Sequence, residues 1–416
     1  MKTPWPLRFG AFYAPFHPPG QNPTLALQYD LDRAVALDRL GYDEVWFGEH
    51  HSGGYELIPA PEVFIAAAAE RTQRIQLGTG VTSLPYHHPL MVADRMVLLD
   101  HLTHGRTIFG TGPGALPTDA YMMGIDPVDQ RPMMQESLEA ILALLRTDEP
   151  VTRETSWFTL RDAKLQYRPY TWPHFEVAVA AMVSPSGPRL AGSHDVSLLS
   201  LSLQIEGGLA AVGQAWGIVE DMAAKAGNKE PDRRNWRVLG TMHIAETREQ
   251  AIDDCTFGLR EFADYFGGGA GFVPLGQEVT EGATSEHDYV EAYAEAGAGN
   301  VVIGTPDDAI EYIEGLLEES GGFGTFLMLG HDWARPERTF ASYELFAREV
   351  IPHFQGQLSA PFQSHEWAKH KRDELFGRAG AAIMNAIQTH VAEQQESGTA
   401  DGRASESATG DGGAES

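Results

Sequence analysis

The chain has 416 residues, 43% hydrophobic and 21% charged, which suits one large globular domain with additions. Fifty-eight acidic against 30 basic residues give a formal charge of −28, a surface that repels phosphate backbones and argues against nucleic acid as a partner. No apolar run reaches membrane-spanning length, the start MKTPWPLRFG does not resemble a signal peptide, and the single cysteine, Cys255, excludes an internal disulfide, so a cytoplasmic protein with no membrane partner is expected.

Strand-like and helix-like segments alternate along the chain. Leu7–Tyr13 predicts a first strand, and the helical spacing of Thr24–Leu40 ends at Gly41, a natural helix stop. Strands are predicted at Glu44–Gly48, Ile75–Val81, Thr107–Gly110, Glu176–Ala180, Val196–Leu201, Arg237–Ile244 and Thr325–Leu329. Helices are expected between them, at Pro61–Arg71, Pro89–Leu102, Pro127–Leu145, Arg189–Ser193, Leu209–Lys225 and Thr247–Phe266, with a last one inside Arg338–Val350. Eight strands, each followed by a helix, predict an α/β fold of the (β/α)8 TIM-barrel type over residues 1–354. The glycine- and acid-rich stretch 267–299 reads as an insertion before the eighth strand. Residues 355–395 suggest a helical extension, and 396–416 a disordered polar tail.

In such barrels the chemistry sits on the loops after the strands. Three ionisable residues, Glu49-His50-His51, follow the apolar run Val45-Trp46-Phe47, where charge costs energy unless it is paired or used. After the fourth strand, the glycines of GTGPGA, Gly112 among them, allow a flat or phosphorylated ligand to approach closely. After the fifth, Ser184-Pro185-Ser186-Gly187 offers hydroxyls and free amides before a helix, equally natural as an anion cradle or as a simple helix cap. His50-His51 and His87-His88 are adjacent pairs, and neighbours on an extended strand point to opposite sides, so no metal is expected. Cys255 sits in a helical pattern and reads as packing.

Several ordered segments resemble the bacterial-luciferase-like family of flavin-dependent monooxygenases, over roughly Leu7 to Phe354. They are FGAFYAPFHPP, GYDEVWFGEHH, the block from LGTGVTSLPYHHP to GRTIFGTGPG, GTPDDAIEYI and the run to EVIPHF. The resemblance implies that His50, first of the histidine pair, is catalytic, with Glu49 a candidate to orient it. It also implies a cis peptide at Gly80-Val81 beneath the flavin ring, and Ser184, Ser186 and Arg131 around the flavin phosphate. Pro113 stands where luciferase subunits carry a phosphate-binding arginine; Arg189, or FAD in place of FMN, would compensate. GTGPGALPTDAYMMGID and SHEWAKHKRDELF look closest to the subgroup named for limonene 1,2-monooxygenase, described as epoxidising a monoterpene alkene.

The expectation is therefore a monooxygenase that combines reduced flavin (FMN or FAD) with dioxygen to oxygenate a small apolar substrate. His50 would handle the proton, because histidine titrates near neutral pH. Phe12, Tyr13, Phe16, Trp46 and Tyr86 are candidates for an apolar lining, or for ordinary core. No second nucleotide fingerprint appears, so electrons from NAD(P)H are expected through a separate flavin reductase, and the family resemblance implies a homodimer. The alternatives are a deazaflavin-dependent dehydrogenase or reductase, and a flavin-binding protein without catalysis.

Overall fold

A computed structural model of the chain describes residues 4–14, 16–202, 205, 207–269, 282–297 and 300–406. By contacts the chain divides into a unit Met1–Gln355 and a unit Gly356–Ser416. In the first, eight parallel strands close into a barrel: β1 (Arg8–Tyr13), β2 (Glu44–Phe47), β3 (Gln76–Thr79), β4 (Thr107–Gly112), β5 (Glu176–Ala181), β6 (Ser197–Ser200), β7 (Trp236–Ile244) and β8 (Thr325–Leu329). The ring closes through Trp236↔Leu198 between β7 and β6, Arg237↔Thr325 between β7 and β8, and Arg8↔Thr325 between β8 and β1. Helices cover the outer face, so most strands are buried on both sides and read as unbroken apolar runs. The chain is thus a (β/α)8 barrel, as its alternating pattern predicts.

The barrel interior explains the glycines of LGTG and IFGTG. Trp46 points inward from β2 and is fully buried. A Cβ on Gly78 would lie 2.5 Å from its indole, and one on Gly110 2.8 Å from it. These glycines make room for a tryptophan, so part of the expected ligand-approach motif is packing. Below Trp46, Arg237 of β7 is fully buried, with its Nε 2.7 Å from Glu44 Oε2 and its Nη1 2.6 Å from Glu176 Oε1.

Burial disfavours ionised Glu176, but the Arg237 charge and hydrogen bond outweigh it and hold its pKa down at about 2. A carboxylate depressed on folding stabilises the barrel above its unfolded value, near pH 4.5, and that contribution fades as pH falls toward 2. Glu176→Gln is therefore expected to flatten stability against pH over that acid range, by circular dichroism; a slope like that of the wild type would refute it.

Several elements differ from the sequence prediction. An antiparallel pair, Val151–Glu154 with Thr159–Ala163, lies between the helix Gln130–Arg146 and β5. A short helix, Pro117–Met122, follows β4. A strand Val301–Gly304 pairs with the outer half of β7, from Thr241↔Val301 to Ile244↔Gly304. The stretch 267–299 is not a continuous loop. It contains the helix Glu286–Ala296, whose cap Ser285 accepts a hydrogen bond from the Asp288 amide; residues 270–281 lie outside the described residues. In the second unit a single helix, Ser359–Glu406, runs past the expected boundary at 395, and residues 407–416 lie outside the described set. Among the described residues no helix is long and apolar enough to cross a membrane.

Candidate active site

The loop after β2 turns its polar triplet to two sides, as alternation along extended backbone requires. His50 faces one side. Its amide donates to Ile58 O at 3.1 Å, pinning the loop, while its ring lies between two carboxylates. Nε2 is 3.0 Å from Glu56 Oε2, and Nδ1 is 3.4 Å from Asp119 Oδ2. Asp119 comes from the short helix after β4, where its Oδ1 also accepts from the His51 amide at 3.1 Å and from Ser52 Oγ at 2.5 Å.

A neutral imidazole carries one N–H and one lone pair, and a lone pair facing a carboxylate at such distances is repelled. Carboxylates at both ring nitrogens therefore favour the imidazolium. Burial works against that charge, but Glu56 and Asp119 outweigh it and push the His50 pKa up to about 10.

Glu49 faces the other way, so it does not orient His50. Its Oε1 accepts from His51 Nε2 at 2.9 Å and His87 Nε2 at 2.7 Å, and its Oε2 from the Ser83 amide at 2.8 Å. Burial penalises the Glu49 charge, yet these hydrogen bonds hold its pKa below the ordinary glutamate value. Its carboxylate, His51 and His87 bring three donor atoms within 4.8 Å of one another, and the hydrogen bonds just described satisfy them.

Two adjoining cavities open at the C-terminal ends of the strands. The smaller, about 110 Å³, has Glu49, His50, Glu56 and Ser83 as polar walls among apolar ones that include Phe12, Leu239 and Leu329. Of the five aromatic candidates, Phe12 alone lines it; Tyr13, Phe16 and Trp46 are buried in the core, and Tyr86 hydrogen-bonds Gln130. The larger cavity, about 610 Å³, shares Val81, Ala115, Met182 and Leu201 with it. Gly80 and Val81 stand at the junction, and the peptide bond between them is cis.

The far end of the larger cavity is polar. Ser184 Oγ and Ser186 Oγ lie 3.1 Å apart at the start of the helix Ser186–His194, with Arg131 and Arg189 beside them. A Cβ on Gly187 would come 2.6 Å from Ala180 O, so only glycine lets that helix begin so close to β5. Hydroxyls, a helix N-terminus and two guanidinium groups fit a phosphate ester, and the apolar run to Val81 fits a flat ring attached to it. Arg189 and Pro113 line the same cavity. Gly112, expected to let a ligand approach, lies against Val81, and a Cβ there would collide with the Val81 side chain.

A family model described as luciferase-like monooxygenase matches residues 7–323. The chain belongs to the luciferase-like monooxygenase family. Limonene 1,2-monooxygenase of Rhodococcus erythropolis is 44% identical over 390 residues, 93% of this chain and 96% of that protein. The 4-hydroxyprotoasukamycin monooxygenase of Streptomyces nodosus subsp. asukaensis is also 44% identical, over 87% of this chain and 96% of its own. Among solved structures, the oxygenating constituent of 3,6-diketocamphane monooxygenase from Pseudomonas putida, a type II Baeyer-Villiger enzyme in complex with FMN, aligns with a TM-score of 0.68 at 27% identity, covering 83% of this chain and 98% of that one. This luciferase-like protein is a flavin-dependent monooxygenase.

Glu56, Asp119 and Tyr265 around His50 escaped the sequence prediction. Asp119 had a faint signal, an acid in the first turn of a helix opened by Pro117 directly after a barrel strand. Glu56 and Tyr265 had none.

Proposed function

We propose that this luciferase-like monooxygenase uses reduced FMN and dioxygen to place one oxygen atom on a small apolar substrate, with His50 as proton donor. The observation that carries the proposal is a doubly paired, charged His50 in an apolar cavity beside a second cavity with a phosphate-type end. Reduced flavin supplies the electrons that activate dioxygen.

Ser184, Ser186, Arg131 and Arg189 would hold the phosphate, and Gly80 and Val81 would support the ring. Phe12, Leu239 and Leu329 exclude water around the substrate. One oxygen enters the substrate and the other leaves as water; overall the two electrons and two protons would come from reduced flavin, and His50, protonated at neutral pH, would hand on one proton and regain one as the flavin returns to its oxidised form. The apolar lining and the 44% identity to limonene 1,2-monooxygenase favour epoxidation of a monoterpene alkene. The enzyme acts in the cytoplasm as a homodimer of barrel domains (residues 1–354), supplied by a separate reductase that draws on NAD(P)H.

Arg189→Ala is expected to weaken FMN binding roughly tenfold or more while leaving riboflavin, which lacks the phosphate, nearly unchanged. Equilibrium dialysis of the two would show it, and equal losses for both would place the phosphate elsewhere. The function itself is tested by presenting chemically reduced FMN, FAD and deazaflavin in turn, with a panel of terpenes, ketones and aldehydes. Oxygen uptake with FMN, and a terpene product gaining one oxygen atom, is expected. Turnover of deazaflavin without oxygen uptake would overturn the proposal in favour of a dehydrogenase.

A further inference from the structure

We propose that Glu56, held in place by Tyr265, is a positioning residue that keeps His50 in its proton-carrying form and fixes its ring against the small cavity. The proposal rests on the assignment of His50 as proton donor.

Glu56 is 6% exposed, and its two carboxylate oxygens have separate duties. Oε1 accepts a hydrogen bond from Tyr265 OH at 3.0 Å, although 209 residues separate the two in sequence. Oε2 lies 3.0 Å from His50 Nε2, where its charge favours the imidazolium. His50 and Glu56 both line the cavity where a proton is needed.

Asp119 shares the task at the other ring nitrogen: its Oδ2 takes His50 Nδ1 at 3.4 Å, while its Oδ1 accepts from the His51 amide and Ser52 Oγ.

Backbone and ring packing immobilise the pair. Glu56 forms an antiparallel bridge with Phe16 of the loop after β1. The ring of Tyr265 lies 4.4 Å from that of Tyr55 and 5.5 Å from that of Phe16. Tyr265 opens a π-helical turn, Tyr265–Gly269, a local widening of the helix that shifts side chains out of α register. Burial and the neighbouring Glu56 charge raise the pKa of Tyr265, so its hydroxyl stays a donor at neutral pH. The charged and titratable groups around His50 from the surrounding elements are Glu56, Asp119, the adjacent His51 and Glu49, which lines the same cavity, with Tyr265 behind Glu56 and Tyr86 behind Asp119.

A purely structural use of Glu56, stapling its loop to Tyr265, needs an acceptor and no charge. Glu56→Gln keeps the acceptor and removes the charge, so it separates the two roles. The experiment follows the His50 imidazole by NMR in flavin-free, full-length, histidine-labelled protein, with His50→Gln identifying the signal. Wild-type His50 is expected to titrate near pH 10, its midpoint falling by about two pH units in Glu56→Gln and by less, in the same direction, in Tyr265→Phe. Glu56→Asp, which keeps the charge, should recover part of the shift. In turnover, product per oxygen consumed should fall in Glu56→Gln at a lower pH than in wild type, with KM for the substrate unchanged.

A wild-type midpoint near 6.5, or an unchanged midpoint in Glu56→Gln, overturns the positioning role. Should Glu56→Gln fail to fold, Tyr265→Phe decides, since it removes only a hydroxyl; an unmoved midpoint there overturns the role of Tyr265. Absence of oxygen uptake with reduced flavin would instead defeat the oxygenase assignment, whatever the titration shows.

Discussion

Replacing Arg237 with alanine is expected to destabilise the barrel by about 3–5 kcal/mol, the cost typical of removing one partner from a buried ion pair. Arg237 Nε and Nη2 reach the two oxygens of Glu44 at 2.7 and 2.9 Å, and Nη1 and Nη2 reach those of Glu176 at 2.6 and 3.0 Å. Its guanidinium also lies over the Trp46 ring, 5.2 Å from the centroid. Glu44 is fully buried, and without Arg237 its nearest remaining cation is Arg8, at 3.3 Å.

Truncation therefore strands a carboxylate inside the barrel and loosens the floor beneath Trp46. Urea unfolding monitored by tryptophan fluorescence would measure the loss, and Arg237→Ala combined with Glu44→Gln should recover part of it. A loss under about 1 kcal/mol would mean that water reaches the pair and screens it.

The second large effect is catalytic. His50→Ala is expected to lower product formation by about 10²- to 10⁴-fold, the usual contribution of a positioned acid or base. FMN binding should be little changed, because His50 lines the smaller cavity and the phosphate-type end belongs to the larger. The pH profile follows in sign from the two carboxylates. Glu56 and Asp119 keep His50 protonated up to about pH 10, so activity should hold through neutral pH and fall as pH rises through that value. A profile rising through pH 6–7 would instead indicate a neutral histidine acting as base.

Much of the barrel was legible because strands buried on both faces leave continuous apolar runs, and because helices end at residues such as Gly41, which caps the first helix in the left-handed region. His50 stood out for a related reason: a charged triplet at the end of a buried strand has little structural excuse. Its partners were not. Asp119 and Tyr265 reach the site from helical segments distant in sequence, and a sequence carries no record of which carboxylate will face which ring nitrogen. The pairing of Glu49 with His51 was within reach of simple alternation, since the two lie on one side of the extended backbone. Glycine is ambiguous in the fourth loop, where the same residue type serves a ligand's approach and a neighbour's bulk; a Cβ on Gly110 would meet Thr79 O and Trp46, and one on Gly112 would meet Val81. The helix Glu286–Ala296 was hidden by acidic, glycine-rich surroundings, although its buried Tyr289, Val290, Tyr293 and Ala294 keep helical spacing.

The central claim, that His50 delivers a proton needed to turn dioxygen into product and water, is tested most directly by a single turnover. Protein loaded with chemically reduced FMN and a monoterpene alkene would be exposed to ¹⁸O₂ at neutral pH, and labelled product and hydrogen peroxide counted in wild type and His50→Ala. Wild type should place one labelled oxygen atom in the product with little peroxide, and His50→Ala should release the oxygen almost entirely as peroxide. Undiminished labelled product from His50→Ala would contradict the claim.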